Sequence, residues 1–317
     1  MLKWGVIGLG NIAKRFCESL EYFDEACFYA GSSHTKEKRD AFMERFTPEK
    51  MYDDYDALLD DPEIDVVYIA LPHGSHYEWS MKSMKKGKCV LCEKPAALHK
   101  VEIIEMTTYA KEHHLFFMEA MKTRFVPMIN QLHREFEEGI IGDIVSLENH
   151  FVSQAKYNPQ SYLFDPVQGG ALYDVGIYCI AAVLDFVKSP VRSMRVKCKK
   201  DHDVDAHDQI TLYFENGVKA ELECGIDGPS NREMKIVGTK GTVTLNPFYR
   251  PTQALIDLKN GESFTGKLNY DHDDFYTEIK AVHEGIAYIR CESERMSHQD
   301  SIDCIALMEH IKEKIDA

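Results

Sequence analysis

The chain has no apolar stretch near the roughly 20 residues a helix needs to cross a bilayer, so no membrane span is expected. It begins "MLKWGVIGLG", without the charged lead, long apolar core and cleavage site of a secretory leader. Positive charge is scarce: 37 Lys and Arg face 52 Asp and Glu, a formal net charge of −15. That balance argues against nucleic acid or an anionic membrane as the main partner. It leaves room for a local anion site, because a helix start and a few side chains can outweigh the global sign nearby. No repeat, low-complexity tract or flexible linker is visible. The nine cysteines are odd in number and follow no disulfide framework, so reduced thiols in a cytoplasm are expected. A single CxxC, Cys89 and Cys92, lies in a strand pattern where residues three apart face opposite ways. It reads as a pair of buried structural thiols.

What is present suggests about two domains in 317 residues, with an ordinary 44% hydrophobic and 28% charged content. Up to about residue 120, short apolar runs alternate with helical patterns. "LKWGVIG" reads as a strand, and Ile12, Phe16, Leu20 and Phe23 then recur at helical spacing. "ACFYAGS", "DVVYIALP", "CVLCEK" and "LFFMEA" are further strands, separated by helices around "TKEKRDAFMERF", "YEWSMKSMKKG" and "KVEIIEMTTYAKEHH". Strands apolar on both faces and alternating with helices imply a doubly wound α/β domain on a parallel sheet.

Its first turn is Gly8-Leu9-Gly10-Asn11-Ile12-Ala13. Gly8 allows the tight turn, Gly10 lets a pyrophosphate approach the backbone, and Ala13 lets helix and strand pack closely. Set between a strand and a helix, this turn predicts dinucleotide binding at Gly8, Gly10, Asn11 and Ile12. The second strand ends in Ser33 and His34, where an acid would bind a ribose 2′-hydroxyl, and Lys36, Lys38 and Arg39 follow. Ser33, His34 and Lys38 are therefore candidates for a 2′-phosphate, and NADP is favoured over NAD. The plainer alternative is a solvated helix start.

Beyond residue 120 the style changes. Ile210, Leu212 and Phe214 alternate, Asn216-Gly217 turns the chain, and Val218, Ala220 and Leu222 alternate back. "EMKIVGTKGTVTL" adds a hairpin, and two helices close the chain. This predicts an α+β domain, 121–317, on a mostly antiparallel open sheet, after a dinucleotide-binding domain over 1–120. One helix, "GGALYDVGIYCIAAVLDFV", carries Asp174 and Tyr178 four apart, with Gly176 between them. A glycine tolerated there implies a close neighbour. The Asp/Tyr pair is either a pocket wall or an N-terminal acid beside a tyrosine satisfied by its surroundings.

Glu93, Lys94 and Pro95 end a strand that reads as core. Ligands of open α/β sheets sit outside the carboxyl ends of the strands, which is where Lys94 lies. Glu93 is expected to steady the lysine by charge pairing, and Pro95 to turn it inward, through a cis bond or otherwise. A surface ion pair is the alternative. Leu71, Pro72, His73 and His76 follow another strand end, the histidines being either cofactor-lining or structural. His202, Asp203, Asp205, His207 and Asp208 imitate a metal cluster, but strand alternation splits them between two faces, and no metal site is expected.

These segments also carry a resemblance. "GVIGLGNIA", "VVYIALPHGSHYEWSMKSMKKGKCVLCEKPAAL", "FFMEAMKTRF", "LFDPVQGGALYDVGIY" and "ESERMSHQDSI" occur in order. Together they resemble the Gfo/Idh/MocA oxidoreductase family, nearest its branch of dimeric dihydrodiol dehydrogenases and NADP-dependent D-xylose dehydrogenases. The resemblance implies a Rossmann domain with NADP or NAD along the parallel strand ends and substrate against the second domain. It makes Tyr178 the proton donor and acceptor, Lys94 its partner at the nicotinamide ribose and substrate hydroxyl, and Asp174 a substrate-binding or orienting residue. Leu71, Pro72, His73, His76, Glu93 and Arg124 would line the cofactor. Lys122 stands where the family often has an aromatic residue.

The expected activity is hydride transfer between nicotinamide and a secondary alcohol or carbonyl of a sugar, cyclic polyol or trans-dihydrodiol. A homodimer or larger homo-oligomer would form through the C-terminal sheet. Two other readings remain: an NAD-dependent glycoside hydrolase without net redox change, and a cofactor-binding regulator without chemistry. The regulator would be expected to lack the lysine or the tyrosine.

Overall fold

The structure, a computed structural model, describes residues 1–317. The chain divides into two compact units, Met1–Ala120 with Asp271–Ile302 and Met121–Tyr270 with Asp303–Ala317. The change of strand style near residue 120 falls at this division. A sequence boundary with 121–317 as one domain differs from it in one respect: Asp271–Ile302 returns to the first unit. The physical reason is that helix α8 (Tyr276–Ala287) covers the sheet of the first unit, where Trp4 Nε1 donates to His283 Nε2 at 3.2 Å.

In the first unit a six-stranded parallel sheet has the order β3-β2-β1-β4-β5-β6. Its strands are β1 (Leu2–Ile7), β2 (Ala26–Ser32), β3 (Lys50–Tyr52), β4 (Val66–Ile69), β5 (Cys89–Glu93) and β6 (Phe117–Ala120). The helices between them are α1 (Asn11–Leu20), α2 (Lys36–Arg45), α3 (Tyr55–Leu59), α4 (His76–Lys85) and α5 (Lys100–Glu112). The apolar period of the sequence becomes packing: Ala13, Phe16, Cys17 and Leu20 form the buried face of α1, and Phe16 stacks on Tyr68 of β4 at 3.9 Å. Strand β3 and helix α3 are too short, at three and five residues, to leave a periodic signal.

The second unit is built on a large sheet in the order β15-β14-β13-β12-β7-β10-β9-β8, with β11 paired to β7. The strands are β7 (Ile144–Gln154), β8 (Val191–Asp201), β9 (Val204–Phe214), β10 (Lys219–Gly225), β11 (Asp227–Asn231), β12 (Met234–Gly238), β13 (Gly241–Leu245), β14 (Gln253–Leu258) and β15 (Ser263–Lys267). All pairs are antiparallel except β7 with β10. Helices α6 (Pro127–Glu137) and α7 (Ile177–Phe186) belong to this unit, and α9 (His298–Asp316) runs across the division. Helix α7 packs against β7 and β10. No helix is long and apolar enough to cross a membrane.

The helix expected over "GGALYDVGIYCIAAVLDFV" is not uniform. Leu172–Gly176 forms a π-helical turn, and only from Ile177 does the α-helix begin. Asp174 and Tyr178 thus straddle a widened turn rather than one regular α-helical face. The close neighbour implied by Gly176 is there: a Cβ on Gly176 would lie 2.9 Å from Cys224 Sγ of β10.

Candidate active site

In the first unit the carboxyl ends of β2, β1, β4 and β5 bring together Ser33, Gly8, Leu71, Glu93 and Lys94. Gly8 has φ +90, and a Cβ there would sit 2.4 Å from the Ala70 carbonyl oxygen. Only glycine fits such a turn. Gly10 caps α1 with no side-chain hydrogen bond, and nothing lies within 4 Å of where its Cβ would be. The first amide groups of α1, at half-buried Ile12 and exposed Asn11, therefore border open space. An uncapped helix start beside a glycine without neighbours suits a pyrophosphate, which would be held by backbone N–H groups and the helix dipole.

The end of β2 is less simple. Ser33 is buried, and its Oγ accepts from Thr35 N at 3.3 Å. Arg39 donates to the Ser33 carbonyl, which brings a guanidinium back to the strand end. The His34 ring is positioned by Nδ1, 2.9 Å from Asp53 O, and by packing 4.1 Å from Tyr55. Lys38 is exposed on α2, while Lys36 pairs with Asp40 at 2.5 Å.

At the end of β4, Pro72 is exposed and His73 is buried in a 3₁₀ turn, His73–Ser75. His76 is fully buried, with Nδ1 2.7 Å from Pro95 O and Nε2 2.8 Å from Leu71 O. Burial pushes its pKa down against the pull of these two carbonyls. Both ring nitrogens are thus engaged with backbone. The ring thereby braces the end of β4 against the turn after β5.

Glu93 also departs from expectation. Instead of pairing with the Lys94 ammonium, its carboxylate accepts from Tyr68 OH at 2.6 Å and from the Lys94 backbone N–H at 3.3 Å. Tyr68 is wholly buried, and burial followed by the Glu93 charge holds its phenol well above the usual range. The tyrosine therefore stays a donor, and Glu93 is fixed through it. The Lys94–Pro95 bond is cis, and Ala96 N donates to buried Glu119 Oε1 at 3.0 Å. Tyr68 and Glu119 escape sequence reasoning, although each is a polar group inside an otherwise apolar strand.

In the second unit Tyr178 is the second residue of α7 and is 8% exposed, with Asp174 half-buried in the π turn before the helix. The ring of Phe151 lies 5.5 Å from Tyr178 and that of Tyr249 6.0 Å, while Phe151 and Tyr249 stack at 4.7 Å. Arg124 is 1% exposed, and its Nη2 donates to Ala181 O of α7 at 3.2 Å. It also lies 4.0 Å from Asp185, which is in turn held by His133 at 2.8 Å. These contacts bind the turn before α6 to α7, a structural duty beside the cofactor role expected of Arg124. Lys122 is buried in the same 3₁₀ turn.

The residues that imitate a metal cluster separate. His202 and Asp203 form the β8–β9 turn with φ +51 and +63, His207 bonds Glu223 and Asp227, and Asp205 and Asp208 are fully buried. No group of three His, Cys, Asp or Glu is arranged to hold a metal ion. Cys89 and Cys92 are free, with burial pushing both thiols up, away from reactive thiolates.

Residues 2–121 match the model of an oxidoreductase family with an NAD-binding Rossmann fold, and residues 129–244 match the GFO/IDH/MocA C-terminal domain. The trans-1,2-dihydrobenzene-1,2-diol dehydrogenase of Homo sapiens is 30% identical over 267 residues, covering 82% of this chain and 79% of that protein. The Danio rerio protein of the same name is 29% identical over 99% of this chain and 97% of its own. Among solved structures, a 3-ketoreductase from Actinomadura kijaniata with NADP and TDP-benzene is 26% identical, with a TM-score of 0.89 over 98% of this chain and 97% of that one.

Proposed function

We propose, for a chain that belongs to the Gfo/Idh/MocA family of NAD(P)-binding oxidoreductases, a substrate class and a division of labour among its residues. The substrate is a secondary alcohol, or the matching ketone, of a sugar, cyclic polyol or trans-dihydrodiol. Relatives named for a dihydrodiol and a structural neighbour named a 3-ketoreductase support it, since both names describe the alcohol–ketone couple. The bound nicotinamide would supply the hydride acceptor or donor. NADP is favoured over NAD because β2 is followed by Ser33 with Arg39 returning to it, and because the ketoreductase was crystallised with NADP.

The observation that carries the reading is the shared strand edge on which an uncapped α1 start and Lys94 both lie. Tyr178 takes the hydroxyl proton on oxidation and returns it on reduction. In this reading Lys94 is the partner that assists Tyr178 in acid/base catalysis, and Asp174 binds or orients the substrate. Pro72 and His73 line the cofactor.

A panel of sugars and cyclic diols with NADP or NAD, followed by the absorbance of reduced nicotinamide, tests the class. Lys94→Met and Tyr178→Phe should each keep nucleotide binding and lower turnover by about 10²–10⁴-fold. Near-normal turnover of either variant removes that residue from the mechanism. Glycoside cleavage without accumulated reduced cofactor would replace net oxidation by transient oxidation.

Nine free cysteines support a reducing compartment, the cytoplasm. The open face of the large sheet carries a groove of about 410 Å³ lined by residues that include Glu148, His150, Arg195 and Glu223. We assign a homodimer contact to this face, and light scattering of the purified protein checks it.

A further inference from the structure

The inner face of the large sheet holds an arginine with too few partners. Met234 of β12 lies opposite Asn149 of β7, and both are buried. Arg232 lies in the two-residue link between β11 and β12, two positions before Met234, and its guanidinium reaches the ring of Phe151, two positions after Asn149 on β7. Helix α7 packs against β7 on this side, and Tyr178 lies 5.5 Å from Phe151 ring to ring. The Arg232 guanidinium is 5.4 Å from the Phe151 ring and 5.6 Å from the Tyr249 ring. Its backbone is fixed by Phe248 N, which donates to Arg232 O at 2.9 Å.

A guanidinium has five N–H donors in a planar fork. Arg232 uses one of them, from Nη1 to Tyr249 OH at 3.1 Å. Its Nε is buried and has no hydrogen-bond partner. In a chain with 52 Asp and Glu, this arginine forms no ion pair. Chains that bury part of a guanidinium normally satisfy it with a carboxylate or carbonyl. Here the aromatic walls hold the fork in place and engage only one of its donors. A planar or tetrahedral oxyanion is the partner that such a fork binds best, through two parallel hydrogen bonds.

We propose that Arg232 is a specificity-determining residue that binds a carboxylate or phosphate carried by the substrate, beside the reacting hydroxyl at Tyr178. The inference rests on the reading of Tyr178 as the acid/base, and narrows the substrates to anionic sugars or polyols. Phe151 and Tyr249 aim the fork, and Tyr249 OH orients it.

The test uses wild-type protein with NADP and three matched compounds: D-glucose, D-glucuronate and D-glucose 6-phosphate, with D-galactose and D-galacturonate as a second pair. An anionic member should exceed its neutral parent at least tenfold in kcat/KM, and the better of the two anions identifies the group. Arg232→Gln should collapse that ratio at least tenfold, chiefly through KM, and Arg232→Lys should restore part of it. Neutral parents that react as well as the anions, or a ratio unchanged in Arg232→Gln, would overturn the proposal while leaving the dehydrogenase reading intact. If no compound changes the nicotinamide absorbance, the thermal shift of NADP-loaded protein with D-glucuronate or D-glucose 6-phosphate decides. A shift in wild type that is absent in Arg232→Gln supports the arginine site, and no shift in wild type sinks it.

Discussion

Asp208 shows how one side chain can set a pH response. It lies on β9 between Cys198 of β8 and Cys224 of β10, is fully buried, and receives Cys224 Sγ at 3.7 Å. Asp205, three residues earlier, is tied to Lys312 at 3.2 Å and accepts from Leu172 N at 2.7 Å. Burial first, and then the Asp205 charge, push the Asp208 carboxyl up to about 7. In the unfolded chain it titrates near the ordinary value of about 3.9. Between those values the folded state holds a proton that the unfolded state has lost, so folding stability falls as pH rises. The contribution is complete below about pH 4 and gone above about pH 7. Asp208→Asn should flatten this segment relative to wild type, as measured by urea unfolding at pH 5 and pH 8. Equal slopes for the two proteins would mean that Asp208 stays ionised. At this scale legibility depends on how far away the partner is. Gly8 and Lys94 could be placed from their own strand ends, because local backbone geometry fixes them. His76, Glu93, Arg124 and Arg232 take their roles from partners 5 to 57 residues away or from across a sheet, and no local pattern names those partners.

Among elements, the π turn before α7 carries the most consequence. The apolar residues of "ALYDVGIYCIAAV" satisfy a helical period whether or not one turn is widened, so the sequence reads as one helix. The widening depends on tertiary partners. Asp205 holds Leu172 N at the start of the turn, and Cys224 presses against Gly176 at its end. Gly176→Ala would bring Cβ within 2.9 Å of a buried sulfur, and overpacking of that kind typically costs about 1–3 kcal/mol. We expect Gly176→Ala to lower the urea midpoint and to reduce turnover by moving Tyr178. Adding Cys224→Ala removes the sulfur and should restore part of both. A double mutant no better than the sum of the single changes would show that the turn does not depend on this contact. The other strands of this unit were legible because Ile210, Leu212 and Phe214 alternate strictly around the Asn216-Gly217 turn. The parallel pairing of β7 with β10 was not, since alternation gives a strand its faces and not its neighbours.

On the scale of the whole chain, the parallel sheet of the first unit is completed by residues about 150 positions beyond its last strand. "YTEIKAVHEGIA" announces an amphipathic helix, yet its period cannot say which sheet it covers. Several contacts tie the return segment to that sheet and its helices. Ser19 Oγ donates to Asp273 Oδ1 at 2.8 Å, Arg15 pairs with Asp274, and Phe117 N donates to Cys291 O at 3.0 Å. Gly285 sits so close to Phe116 that a Cβ would lie 2.1 Å from the ring. Trp4, Phe16 and Phe116 are at most 1% exposed in the full chain. Uncovering large apolar side chains costs about 1.5–3 kcal/mol each, against a total stability of roughly 5–15 kcal/mol for a domain. Residues 1–120 alone should therefore fail to unfold cooperatively, by circular dichroism on heating, and should not retain NADP. Joining Asp271–Ile302 to Ala120 through a short Gly/Ser linker should restore a cooperative transition. A sharp melt and cofactor binding by residues 1–120 alone would show that the glycine turn and the six strands are sufficient, and that α8 is only an accessory cover.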